Sequence, residues 1–137
     1  MRVVLDTNIL LSACWNPDGI EARLVNMAIH GMCTACVTPE IWSEYSDVLS
    51  REKFVELHQV TLELLRNLRP HVCMVEPEVH LSAASDESDN RFLECAAAAE
   101  AAVLVTGNLK HFPERWGPTR VMNARQFVTE FPVYLAA

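Results

Sequence analysis

Apolar residues follow two rhythms along this chain: short runs, and longer stretches with helical spacing. The runs are Val3–Leu5, Cys33–Val37, Val72–Val75, Val103–Val105 and Val121–Met122. Runs this short, bounded by polar or turn residues, predict strands buried on both faces. Between them, apolar positions recur every three or four residues. Pro17-Asp18-Gly19 opens one such stretch, which runs to about His30 with Ile20, Leu24, Met27 and Ala28 on one face. Thr38-Pro39 opens the next, with Thr as N-cap and Pro at the first helical position, and it continues to about Arg51. Lys53 to Leu68 predicts one or two further helices closed by Pro70. An alanine-rich helix spans roughly Asn90 to Ala101, and Ala124–Glu130 forms the last.

Strands separated by helices predict an α/β protein, a three-layer sandwich whose mainly parallel central sheet is flanked by helices. The 137 residues carry no internal repeat or linker, and a single domain over 1–137 is expected. Ligands of such sheets bind beyond the carboxyl ends of the strands. The residues that follow each strand therefore matter most.

Composition removes several function classes. No uncharged stretch reads as a membrane span, and Asp6 interrupts an apolar run already too short for a signal peptide, so a cytoplasmic location is expected. Five cysteines, an odd number among apolar neighbours, predict reduced buried thiols rather than a disulfide framework. Cys33 and Cys36 form a CxxC, but no second pair accompanies it and a structural role is expected. The net charge of −7 argues against a broad basic surface for nucleic acid. The charge is uneven, however. Glu76 to Glu100 holds seven acids and one base, whereas Gly107 to Arg125 holds four bases and one acid.

Asp6 directly follows the first strand, and Asn108 lies just beyond Val103–Val105, at the same edge of a parallel sheet. Asp86 and Asp89 stand at or just before the start of the alanine-rich helix, which begins at that edge too. Glu44 falls on the margin of its helix's apolar face, defined by Ile41, Tyr45, Val48 and Leu49, while Ser43 and Asp47 fall on the polar side. Alone, each has a structural account: a helix cap for Asp86 or Asp89, a buried stem for Glu44, a turn for Asn108. Together they predict a cluster of carboxylates. At about 4 Å two such charges repel by about 4 kcal/mol at an effective dielectric of 20, so the cluster must share protons or hold cations. Oxygen donors without His or Cys suit Mg²⁺ or Mn²⁺ rather than zinc, and such a site suggests phosphate chemistry.

The stretches "VVLDTNILLSA", "EIWSEYSDVLSREKF", "DESDNRFLECA" and "LVTGNLKHFP", in this order from about Arg2 to Phe127, resemble the PIN-domain family of ribonucleases. More narrowly, they are similar to the small VapC-like toxin components of prokaryotic toxin–antitoxin systems. The resemblance implies a parallel sheet flanked by helices, Mg²⁺- or Mn²⁺-dependent cleavage of RNA, a cognate antitoxin and a homodimer. It assigns Asp6, Glu44 and Asp89 to the acidic metal-binding and catalytic positions, and Thr7, Asn8 and Thr106 to supporting ones. Where the family usually has an acid after the "T-G" turn, this chain has Asn108, which offers a carbonyl oxygen but no charge. Asp86, one helical turn before Asp89, is a candidate to compensate.

The expected chemistry is hydrolysis of an RNA phosphodiester without a side-chain nucleophile. Lys110, His111 and Arg115, just past the site, are candidates to hold flanking phosphates of the substrate. Two rivals remain. An aspartyl-phosphate phosphatase also places an Asp after its first strand, but usually wants a second Asp where this chain has Asn8. A PIN-like module that binds RNA or an antitoxin without turnover is the other. Trp15, Trp42 and Trp116 are candidates for a partner surface, although core packing is the commoner fate of Trp.

Overall fold

The computed structural model describes residues 1–79 and 87–132. Six strands form one sheet in the order β3-β2-β1-β4-β6-β5. They are β1 (Arg2–Leu5), β2 (Thr34–Val37), β3 (Cys73–Met74), β4 (Val103–Val105), β5 (Arg115–Trp116) and β6 (Thr119–Met122). All neighbours are parallel except β5 and β6. Val3, Val4 and Leu5 are each at most 1% exposed, so both faces of the central strand are covered. That is why its sequence is an unbroken apolar run instead of an alternation.

Helices α1 (Thr7–Trp15), α2 (Ile20–Ile29), α3 (Pro39–Leu49), α4 (His58–Leu68), α5 (Glu87–Ala99) and α6 (Ala124–Glu130) flank the sheet. α5 packs on β1, β2 and β4, and α1 packs against α2, α3 and α4. Cys95, Ala96 and Ala99 of α5 are wholly buried, and their small side chains permit the close approach to the sheet that the alanine-rich stretch predicts. Thr38 caps α3 as expected, its Oγ1 accepting from the Ile41 amide at 3.1 Å with Pro39 next in the chain.

Several boundaries differ from the sequence reading. α1 has no amphipathic rhythm: its buried side carries Ile9, Leu10, Ala13 and Cys14, but apolar Leu11 and Trp15 stand on the less buried side, which erases the polar face that reveals a helix. β5 is a two-residue edge strand, joined to β6 through Gly117 at φ 58, the positive angle a tight hairpin turn requires. α5 begins at Glu87, so Asp89 lies within its first turn instead of before it. All five thiols are free, and only Cys73 is more than marginally exposed. Burial raises the Cys14 and Cys36 thiols to about 11 and Cys95 to about 12.

Candidate active site

The register aligns the carboxyl ends of three neighbouring strands: Leu5 opposite Val105, and Val105 opposite Met122. Asp6 and Thr106 are therefore the next residues out on adjacent strands, and the Asp6 amide donates to the Val105 carbonyl at 2.9 Å. Asp6 occupies the N-cap position of α1 in extended conformation, yet its carboxylate does not cap the helix. It turns toward β4. Thr106, wholly buried, donates its hydroxyl to Asp6 Oδ2 at 2.7 Å, and Asn8 Nδ2 donates to the same oxygen at 3.2 Å. Asn8 Oδ1 in turn accepts from the Gly107 amide at 3.0 Å, tying the start of α1 to the turn after β4.

The other acids approach from two helices. Asp89, in the first turn of α5, is 8% exposed and lies near enough to Asp6 to act on its charge. Burial is the largest influence on Asp6 and raises its pKa; the Asp89 charge raises it too. The Thr106 hydroxyl and the backbone of Thr7 and Asn8 oppose them without cancelling them. Glu44, half-buried on α3, accepts a short hydrogen bond from the Thr7 hydroxyl through Oε2. Thr7, the residue after Asp6, thus links the start of α1 to Glu44. His111 lies at the far side, its Nδ1 3.2 Å from Asp89 Oδ2.

Asn108 is exposed and joins the group through its backbone amide, which donates to Thr106 Oγ1 at 3.0 Å. Lys110 and Arg115 are exposed beyond it. Asp86 lies outside the described residues. Among the described residues, no three His, Cys, Asp or Glu side chains are drawn together into a ready-made cation cage. Asp89 acts on the charge of Asp6, and Glu44 is tied to the same edge through Thr7.

Tyr45 is a positioning residue that sequence reasoning used only to define an apolar face. Its ring is buried with 1% exposure, and its hydroxyl donates to the Leu5 carbonyl at 2.5 Å, one residue before Asp6. A polar tip on an otherwise apolar helix face was the available signal. Trp15 takes the exposed alternative of the two expected for the tryptophans, not the commoner core packing. It is 54% exposed, touching Phe54 edge-on, whereas Trp42 and Trp116 are partly buried against the core.

A buried aspartate at the carboxyl edge of a parallel sheet, faced by a second one from a helix start, is the arrangement to set beside known proteins. The sequence profile described as PIN domain matches residues 2–110. This chain belongs to the PIN domain family. PIN domains are generally nucleases, and the family's mostly parallel sheet flanked by helices is the architecture found here. An uncharacterized protein of Methanocaldococcus jannaschii is 26% identical over 111 residues, covering 79% of this chain and 71% of that protein. Among solved structures, a chain from VapBC2 of Rickettsia felis, bound to a DNA fragment from their promoter, superposes with a TM-score of 0.61. It is 17% identical, and the match covers 90% of this chain and 98% of that one.

The residues at this PIN-domain edge fit a hard divalent cation by their chemistry. Every anionic donor is a carboxylate oxygen, and Asp6 keeps a raised pKa because burial and Asp89 leave its charge undercompensated. Both side-chain donors to Asp6 fall on Oδ2, so Oδ1 is used by neither. No described helix is long and apolar enough to cross a membrane.

Proposed function

We propose that this PIN-domain protein is a Mg²⁺- or Mn²⁺-dependent endoribonuclease that hydrolyses RNA phosphodiesters, with Asp6, Glu44 and Asp89 as its catalytic carboxylates. The observation that carries the proposal is the buried Asp6, held by Thr106 and Asn8 and facing Asp89 at the sheet edge of a nuclease family. These three acids would hold the cation, with Asn108 and Asp86 as further oxygen donors. When bound, the ion would acidify a water molecule and offset the negative charge that develops on the phosphate.

The chain's own residues do the orienting. Thr106 and Asn8 fix one Asp6 oxygen, so the carboxylate cannot rotate freely. Thr7 holds Glu44 beside the site. Tyr45 clamps the Leu5 carbonyl, so the strand end that carries Asp6 is fixed from below. His111, beside Asp89, together with Lys110 and Arg115, would meet phosphates flanking the scissile bond. A toxin role under control of a cognate antitoxin in the cytoplasm, with homodimerisation, completes the proposal. The fold likeness to a chain of the VapBC2 complex supports it.

A second reading has its own support: Asn108 replaces an acid and no described trio of ligands is preassembled, as in a module that binds RNA without turnover. Cleavage of labelled single-stranded RNA with Mn²⁺, by wild type and Asp6→Asn purified identically, separates the two. Loss in the mutant alone supports the nuclease. Equal cleavage by both refutes this site. Intact RNA with both favours the binding module.

A further inference from the structure

Beside the acidic edge lies a cleft of about 810 Å³, set between β6, α6 and the turn that follows Asn108. Lys110, Arg115, Arg120 and Arg125 line it, accompanied by Glu114 and Glu130. Arg120 is already engaged, its Nη1 2.8 Å from Glu130 Oε1. Lys110, Arg115 and Arg125 are exposed and form no ion pair with any described residue. They come from three different elements that share one hollow, in a protein whose net charge is −7. Three cations that no described acid pairs with, around a cleft this wide, fit an occupant with repeated anions better than a single small ion.

The cleft adjoins the candidate active site through the chain that walls both. Met122, in its wall, accepts from the Thr106 amide at 3.0 Å, and Thr106 holds Asp6. The short turn Leu109–His111 joins the two regions in three residues: Lys110 lines the cleft while His111 touches Asp89. A strand of nucleic acid cleaved at Asp6 would have to leave along some path, and this is the basic path at that edge.

We infer that the cleft binds the sugar–phosphate backbone of single-stranded RNA on one side of the scissile bond, with Arg115 and Arg125 as its main phosphate contacts. This rests on the nuclease reading for the identity of the polyanion. Guanidinium forks match phosphate oxygens in pairs and stay charged at any working pH, so the contacts are sequence-independent and sensitive to salt. Arg125, at the start of α6, belongs to the basic segment that the sequence marks, but its place in a cleft with Arg115 comes from the tertiary structure.

The test is fluorescence anisotropy with a labelled twelve-nucleotide oligouridylate in EDTA, where cleavage cannot interfere. Arg115→Gln/Arg125→Gln is compared with wild type and with Arg23→Gln/Arg66→Gln, which makes the same change in net charge at exposed positions on α2 and α4. The expected result is several-fold weaker binding by the cleft variant alone. Its plot of log K against log salt should also flatten by about 1.4, at roughly 0.7 for each phosphate that the two arginines no longer neutralise. Equal weakening in both double variants would reduce the effect to overall charge and overturn the inference. So would unchanged binding in both, or no binding by wild type. Polyglutamate bound through Arg115 and Arg125, with RNA binding untouched, would overturn it in favour of an acidic protein segment. RNA cleavage by wild type is scored separately with Mn²⁺, so the cleft can fail while the nuclease stands, and the reverse.

Discussion

Thr106→Val tests the site with a change that keeps side-chain volume. The hydroxyl is wholly buried, donates to Asp6 Oδ2 at 2.7 Å and accepts from the Asn108 amide at 3.0 Å. The second bond is cheap to lose, because Asn108 is exposed and water can replace the acceptor. The first is not. A hydrogen bond to a charged group contributes about 1.5–3 kcal/mol, and its removal leaves a buried carboxylate with one donor fewer. For 137 residues the unfolding entropy is about 0.3 kcal/mol per degree, so Tm at pH 8 should fall by roughly 5–10 °C. The loss must also depend on pH. Thr106 stabilises the ionised form of Asp6, so the mutation raises a pKa that is already raised. The extra destabilisation is then full above the folded-state pKa of Asp6 and shrinks as pH falls through it. Melting curves at pH 8 and pH 4 decide the matter. An equal loss at both pH values would mean that Thr106 acts through packing alone, and the account of Asp6 would be wrong.

Asp6→Asn should raise Tm in EDTA at pH 8. The raised folded-state pKa means that Asp6 favours folding below its unfolded value of 3.8 and opposes it as pH rises through the folded one. The same variant should lose the Mn²⁺-induced stabilisation expected of wild type, which at 100 times Kd amounts to about 2.7 kcal/mol; calorimetry with and without the ion measures both effects. Tyr45→Phe should cost about 1–3 kcal/mol in urea unfolding, because the Leu5 carbonyl loses a buried donor; a neutral result would remove Tyr45 from the support of the site. Glu100→Gly should stabilise by about 0.5–1 kcal/mol, since Glu100 ends α5 at φ 52, where a side chain is strained. Asn123→Ala should cost about 1 kcal/mol by thermal melting, because the Gln126 amide loses the Asn123 side-chain oxygen that caps α6.

The sequence by itself determined what local chemistry can determine. Short apolar runs marked β1, β2 and β4, as strands covered on both faces require, with Thr34 the one polar residue within those runs. Thr38-Pro39 marked the start of α3, because a cap is a contact between residues three apart. The placement of Asp6 and Asn108 beyond their strands followed from the parallel topology that strand–helix alternation implies. The helical phase of Glu44 put it at the margin of a buried face, where it is found half-buried.

Only the tertiary structure decided which of these residues meet. Asp6 and Thr106 are 100 positions apart, and their hydrogen bond exists because β1 and β4 are neighbours in a particular register. A slip of one residue would turn the pair to opposite faces. The tyrosine hydroxyl on the Leu5 carbonyl, the His111 contact to Asp89 and the gathering of Lys110, Arg115 and Arg125 around one cleft are likewise non-local. α1 and β5 escaped the sequence for the same reason. α1 carries apolar residues on its less buried side too, where Leu11 packs on the core and Trp15 on Phe54, and β5 is defined by its antiparallel pairing with β6; neither leaves a periodic trace in the chain. Spacing can put a carboxylate at an edge, but the partner that holds it is chosen by packing between segments that are distant in sequence.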